Sequence, residues 1–445
     1  MWSRFLADYG IIFVLLALCA FFSVATLDEQ HPTGAAAGLD LGADILSQTQ
    51  PAATVFIVVR NTPEDSAFAA ALTKALTAQG RSVLGTARGQ PDEMLQALKQ
   101  LLERESRLDI IASVNGAGVG PVLDNLREKY PVLSDTRLLI PQSYQWPNFL
   151  KASNFLNITN QIAVIAIIAI GMTMVIITGG IDLSVGSLMG LSAVITAVLV
   201  RDYMGGYEAG GPGTILASLI AIAVCGLVGF ATGVLVKSFD VPPFIATLSM
   251  MLIARGLALR FSKSESIDQI PNSFKWLGAG SDLGSIPNAV VLMALMYLVA
   301  HVVMSRTVLG RYIYAVGGNA EAARLSGVPI FRVIIFVYIL AGILSGLGGV
   351  IFASQYKSSN PNYGLMYELY VIAAVVVGGT SLSGGEGKIF GTLLGAFLIA
   401  VIQNGMNLTG VGSENQQIVL GLVILGAVLI DKVKKNGWGL FRNTR

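Results

Sequence analysis

GMTMVIITGGIDLSVGSLMG, residues 171–190, is an apolar run cut in the middle by two glycines and a carboxylate. Gly179 and Gly180 interrupt a stretch that otherwise suits a membrane helix, and Asp182 follows at once. A break of this kind frees backbone groups that lipid cannot satisfy, so it must face protein or a water-lined path. Asp182 near a membrane is costly unless it is paired or hydrated, and Ser184 and Ser187 stand close enough in sequence to help. Two roles are open to it: capping the helix that begins near Leu183, or touching a solute. A second copy lies 199 residues on, from 179 to 378: GGIDLSVG at 179–186 and GGTSLSGG at 378–385 share the pattern G-G-x-x-L-S-x-G. Gly378 and Gly379 are thus a second expected helix break. Internal repeats are the usual architecture of transporters, with the path near the repeat interface.

Working outward, apolar runs dominate the chain. It has 445 residues, 53% hydrophobic and 13% charged, with mean hydropathy +0.67. A soluble domain carries about 25% charged residues. With roughly 20 apolar residues needed per crossing, ten spans are expected: 9–25, 158–178, 183–200, 215–236, 244–259, 289–304, 333–353, 367–377, 389–406 and 417–430. The expected fold is therefore an all-α polytopic bundle with an internal repeat. Lys and Arg collect on the cytoplasmic side of short loops. Arg306, Arg311, Arg324 and Arg332 follow the sixth span, and Lys432, Lys434, Lys435, Arg442 and Arg445 form the tail. Loops of the other parity, 202–213, 355–363 and 409–415, are poor in them; the loop with Arg260, Lys263 and Lys275 is the exception. Ten spans put both termini in the cytoplasm and both glycine breaks on that side; one span more or fewer would make the repeat inverted. Residues 9–25 also admit reading as a cleaved signal peptide. Cys19 and Cys225 lie in apolar runs, and His31 and His301 are the only histidines, so neither a disulfide framework nor a Cys/His metal cluster is expected. A net charge of +2 gives no sign of nucleic-acid binding.

More than two-fifths of the charged residues fall between Leu27 and Gln145, a quarter of the length. Here short apolar strand candidates (55–59, 82–84, 108–112, 138–140) alternate with amphipathic helices, one marked by Met94, Leu95, Leu98, Leu101 and Leu102. Such alternation implies a parallel sheet with helical crossovers. The expected division is a first helix at 1–26, an extracytoplasmic α/β insert at 27–145, a transmembrane domain at 146–431 and a basic cytoplasmic tail at 432–445. TVFIVVRNTPEDSAFAAALTKALTAQG (54–80) and LDIIASVNG (108–116) resemble one lobe of a periplasmic sugar-binding protein. One lobe gives half a ligand site, so both a docking or structural role and ligand sensing stay open. Asn61 and Asn115, at expected strand ends, are where a ligand would sit.

The remaining motifs carry a closer resemblance. With 171–190, the stretches PPFIATLSMMLIARG (242–256), LGRYIYAVGGNAEAARLSGV (309–328), ELYVIAAVVVGGTSLSGGEGKIFGTLLGA (368–396) and NGMNLTGV (404–411) are similar to permease subunits of ribose, xylose, arabinose and galactose ATP-binding cassette importers. The likeness covers almost everything after Trp146, and the insert is a departure from it. The resemblance implies translocation of a monosaccharide delivered by a periplasmic sugar-binding protein, a second permease copy, and a separate ATPase subunit that uses ATP and Mg2+. It implies no cofactor on this chain and no catalysis by it, and places it in a bacterial inner membrane. It also makes the segment with Gly318, Asn319, Glu321 and Arg324 the part that docks on the ATPase. No G-x-x-x-x-G-K-[ST] phosphate loop occurs in the chain. LSGGE at 382–386 is close to an ATPase signature but belongs to the repeat. Gln403, Asn404 and Asn407, neighbours on a helix, offer donors and acceptors for sugar hydroxyls or hydrogen bonds between helices. With Asp182 and Ser184 they make up the expected substrate pathway. A secondary transporter, or a sensor using the external lobe, is the alternative.

Overall fold

The computed structural model describes residues 2–104, 107–127 and 129–436. Arg442 and Arg445 of the basic tail lie outside the described residues. The chain divides into two compact units, Met1–Thr26 with Asn148–Arg445, and Leu27–Pro147.

Helix α1 (Trp2–Ala25) leads to the second unit, whose first and last strands pair. Strand β1 (Leu27–Gln30) runs antiparallel to β6 (Tyr144–Pro147), with Leu27 opposite Pro147. Between them come α2 (Gly34–Gln48), β2 (Thr54–Val59), α3 (Pro63–Ala78), β3 (Ser82–Arg88), α4 (Pro91–Leu102), β4 (Ile110–Ser113), α5 (Val119–Arg127) and β5 (Arg137–Leu139). The four inner strands form a parallel sheet in the order β3-β2-β4-β5. Strands β2 and β4 are apolar at nearly every position and buried, as befits a parallel sheet covered on both faces. Phe68, Leu72, Leu76, Met94, Leu98 and Leu123 fill the space against it. Helix α3 starts where Thr62 accepts the Asp65 N–H at 3.2 Å, with Pro63 at its first position. Asp65 is fully buried but accepts from Arg60 Nε at 2.8 Å and Nη2 at 3.2 Å, the paired form a buried carboxylate needs.

The first unit continues with α6 (Ala152–Ile177), α7 (Val185–Tyr203), α8 (Gly211–Ser238), α9 (Pro243–Ser262), the one-turn α10 (Trp276–Ala279) and α11 (Asn288–Arg306). Then follow α12 (Val308–Gly318), α13 (Ala320–Leu325), α14 (Ile330–Tyr356), α15 (Tyr367–Val377), α16 (Ile389–Leu408) and α17 (Ser413–Asn436). Helices α6, α7, α8, α9, α11, α14 and α16 are long and apolar enough to cross a membrane. The expected first, eighth and tenth spans fall on shorter apolar runs, Gly10–Ala25, Tyr367–Val377 and Ser413–Leu429. Burial sorts the seven. The apolar window of α6 is 89% buried, whereas those of α8, α9 and α11 are 33%, 22% and 28% buried. An apolar helix hidden all round is a central one, and the other three turn apolar surface outward. Helix α14 packs on α6, α7 and α8. Its contact with α8 is close because both sides are small: a methyl at Gly229 would lie 2.2 Å from the Tyr338 carbonyl oxygen, and one at Gly342 would lie 2.3 Å from that of Cys225.

Candidate functional site

Helix α6 ends at Ile177 because Gly179 takes a left-handed φ of +83°. The Gly179 N–H donates to Ile176 O at 2.9 Å and the Gly180 N–H to Val175 O at 3.0 Å, a Schellman cap that occupies the orphaned carbonyls. Helix α15 ends the same way. Gly379 has φ +88°, its N–H donates to Val376 O at 2.9 Å, and the Thr380 N–H donates to Val375 O at 3.2 Å. The equivalent caps are therefore Gly179 and Gly379, one residue out of step with the motif alignment of Gly179 on Gly378. Gly378 keeps a right-handed φ of −63° at the helix end. The original register returns at the next turn. Asp182 Oδ1 accepts the Ser184 N–H at 2.8 Å, and Ser381 Oγ accepts the Ser383 N–H at 3.2 Å. The second copy is thus one residue shorter between cap and turn.

The two breaks meet. The Gly385 N–H donates to Ile177 O at 2.8 Å, so the loop after α15 reaches the end of α6. Gly384 and Gly385, at φ +82° and +76°, carry the second loop under the end of α6, which no side chain at those angles would do without strain. The end of α12 seals the contact. A methyl at Gly317 would lie 1.7 Å from Ile177 O and 2.7 Å from the Gly385 nitrogen, whereas nothing lies within 4 Å of one at Gly318. The Tyr314 hydroxyl donates to Gly387 O at 2.8 Å. Helix α13 follows directly. Asn319 is its N-cap, accepting the Ala322 N–H at 2.9 Å. Glu321 and Arg324 form an exposed pair, with Arg324 Nε donating at 3.1 Å and Nη2 making a second, short contact. That hydrogen bond holds the Glu321 carboxyl below its ordinary range and raises Arg324. Leu325 is 76% exposed, an apolar knob on a polar turn.

The five residues expected to share one pathway do not form a constellation. Asp182 and Ser184 are buried and bonded to each other, Ser184 Oγ donating to Asp182 Oδ1 at 2.6 Å. Both bonds end on Ser184, the residue before α7, and shape the turn that leads into that helix. Asn404 instead pairs reciprocally with Asn154, at 3.0 and 2.8 Å, near the start of α6. Asn407 accepts from Gln416 at 2.7 Å. Gln403 is half-buried. The 26 residues of α6 span about 39 Å, so the amides and Asp182 lie near opposite ends of that helix. Asn404 and Asn407 bond to neighbouring helices, α6 and α17. In the other unit, Asn115 meets His31 at 2.6 Å, and Asn61 is exposed.

Gly317, Tyr314, Gly384 and Gly385 are the residues that sequence reasoning missed. Gly384 and Gly385 lay within the repeated motif at 378–385 without a role assigned to them, and Gly317 and Tyr314 lay in the stretch quoted at 309–328.

Small-residue helix packing is common to membrane helix bundles, and helix breaks are found in transporters. Residues 154–428 match the family described as "Branched-chain amino acid transport system / permease component". The chain is 44% identical over 293 residues to the ribose import permease protein RbsC of Escherichia coli K12, covering 65% of this chain and 88% of that one. It is 42% identical to RbsC of Bacillus subtilis over 68% and 92% of the two chains. It is 35% identical to the galactose/methyl galactoside import permease protein MglC of Salmonella typhimurium over 65% and 90%. No solved structure matches the chain. The chain belongs to this family of permease components and is a multi-pass membrane protein. The matched residues begin after the Leu27–Pro147 unit.

Proposed function

We propose that this chain is the membrane-spanning subunit of an ATP-driven monosaccharide importer. One observation carries the reading beyond the named relatives: the exposed α13 is joined, through the close-packed backbone of Gly317, to the end of α6 and to the loop that follows α15. A partner pushing on α13 would move both breaks at once. In this reading the partner is an ATPase subunit, ATP and Mg2+ act there, and this chain binds neither. A periplasmic sugar-binding protein delivers the cargo, and two copies of the permease enclose the path.

The same reading assigns ten crossings. Seven are the long helices, α1 and α17 are two more, and the segment 357–366 with α15 makes the tenth in two pieces. The arginine-bearing α12–α13 side is then cytoplasmic, as are both termini, and the Leu27–Pro147 unit is outside. The chain, its ATPase and the binding protein in proteoliposomes should import ribose or galactose only with ATP and all three components. Uptake by the chain alone on an ion gradient would overturn the reading.

A further inference from the structure

After α14 the chain lies along the first two turns of α7 before α15 begins. A methyl at Gly190 would lie 2.5 Å from Tyr363 O, and one at Gly186 would lie 2.4 Å from Gly364 O. The contact is returned, since a methyl at Gly364 would lie 2.1 Å from Gly186 O. Two glycines one turn apart on α7 thus make a bare track, with no side chain to interlock with the backbone laid on it. The segment bends at both ends through residues held in the left-handed region, Lys357 at φ +50° and Met366 at φ +68°, which residues other than glycine adopt at a cost. Its first half is tied down. Ser359 and Ile267 exchange backbone bonds at 2.7 and 2.8 Å, and Asn360 Nδ2 donates to Ser266 Oγ at 2.8 Å. Its second half runs into α15, 11 residues long, whose far end carries the loop that donates from Gly385 to Ile177 O.

Opposite charges flank this track without meeting. Arg255 of α9 stands over Gly190, where a methyl would lie 3.3 Å from its Nη1, and Glu368 of α15 stands over Gly186, where a methyl would lie 2.4 Å from its Oε2. Positions four apart on a helix have Cβ atoms ~6 Å apart, so guanidinium and carboxylate are separated by on the order of one turn. Each feels the charge of the other, yet the ion pairs found among the described residues lie elsewhere. Arg255 gives both its bonds from Nη1, to Pro361 O at 2.6 Å and Tyr363 O at 3.1 Å. Among the described residues, its Nε and Nη2 have no protein acceptor, and the Glu368 carboxylate has no donor from another residue. Charges inside a membrane unit attract strongly and are costly apart, and a guanidinium fork takes a carboxylate on two nitrogens. Closing this pair leaves the Nη1 bonds in place.

We infer that Arg255 and Glu368 are positioning residues for transport, the two halves of a clasp that closes when α15 slides along the glycine track of α7. A stroke of roughly 3 Å, about half a turn, brings the carboxylate onto Nε and Nη2, and the bend at Gly364–Met366 takes up the change. The other end of α15 meets the α12–α13 junction through Gly385, so a push on α13 and the state of the clasp are linked. The inference rests on the import reading above. Hydrogen exchange over 358–370 in the complex of full chain, ATPase and binding protein, nucleotide-free and vanadate-trapped, tests it on unaltered protein. Trapping should change exchange there by about tenfold or more. In Glu368→Gln, which keeps the side chain's shape and the Nη1 bonds, the nucleotide-free rates should stay and the change on trapping should vanish. That complex should still hydrolyse ATP but move D-ribose at about one tenth or less of the usual amount per ATP. Glu208→Gln, on an exposed carboxylate elsewhere, should behave as the unaltered chain does. Exchange unmoved by trapping, a change on trapping that survives in Glu368→Gln, or a usual ribose-to-ATP ratio in that variant overturns the clasp. ATP-driven uptake of D-ribose and D-galactose by the unaltered complex is measured in parallel. Its absence condemns the import reading, and its presence with exchange unmoved by trapping condemns only the clasp.

Discussion

Gly317 and Gly318 occupy one turn of α12 and differ only in what lies beside them. Alanine favours a helix over glycine by about 1 kcal/mol at either position. At 317 the added methyl overlaps the Ile177 carbonyl, and at 318 it meets open space. Gly317→Ala should keep ATP hydrolysis by the assembled complex while lowering sugar moved per ATP by about tenfold or more. Gly318→Ala should leave that ratio unchanged. Tyr314→Phe, which loses only the bond to Gly387 O, should lower it less. An unchanged ratio in both Gly317→Ala and Tyr314→Phe would remove the junction from the coupling route. Little of this was readable beforehand. The motif repeat pointed to the right loops, but cap geometry moved the equivalence from Gly378 to Gly379. Nothing in the local sequence separates Gly317 from Gly318, because the partners of Gly317, Ile177 and Gly385, are distant in sequence and offer only backbone atoms. Asn404 shows the reverse case: an amide on an apolar helix face reads equally as a solute contact or a helix contact until Asn154 is seen opposite it.

Elements were legible in proportion to how far their burial shows in composition. The long helices are apolar all round, so a count of apolar residues finds them. The runs 55–59, 82–84, 108–112 and 138–140 fall on β2, β3, β4 and β5. The two-piece course of residues 357–377 was not legible. Residues 355–363 read as an ordinary outer loop and 367–377 as a span, because an apolar run of 11 residues does not announce that it begins halfway through a bundle. Gly186 and Gly190, spaced one turn apart on α7, were the unread sign that another backbone lies against it. The sheet yields a prediction in pH. Burial pushes the Asp109 carboxyl up, but the Thr54 N–H and hydroxyl at 2.8 and 3.0 Å and Arg107 at 2.8 Å outweigh it and leave it below its ordinary value. A carboxyl depressed in the fold stabilises above the unfolded value, about 3.9, and that contribution is lost as pH falls through the folded value. Hydrogen exchange in β2 and β4, corrected for intrinsic rates, should be faster in Asp109→Asn at neutral pH. The two proteins should converge as the pH drops below about 4. A gap that is constant with pH would show that the Thr54 contacts do not depend on the charge.

For the whole molecule, charge placement and membrane sidedness are one question. A chain cleared of Cys19 and Cys225 and given a single cysteine at Asp40 or at Glu321, both exposed, separates the sides. An impermeant maleimide should label the Asp40 position in intact cells stripped of outer membrane and the Glu321 position only in inverted vesicles. Labelling of both from one side would break the ten-crossing topology. Composition had already divided the chain into a charged quarter and an apolar remainder. The expected insert, 27–145, starts where the unit starts and ends two residues short of Pro147, because Trp146 and Pro147 are claimed by β1 only through pairing across more than a hundred residues.

That pairing makes the Leu27–Pro147 unit a transplantable cassette. Leu27 stands opposite Pro147, and just beyond them the Asn148 N–H donates to Thr26 O at 2.8 Å while the Phe149 N–H donates to Thr26 Oγ1 at 3.1 Å. Entry and exit are already tied to each other by bonds that do not involve the unit. A two- or three-residue hairpin turn closes the same gap, so the helical unit offers a socket in which a foreign domain, a fluorescent reporter or nothing at all is seated without moving a membrane helix.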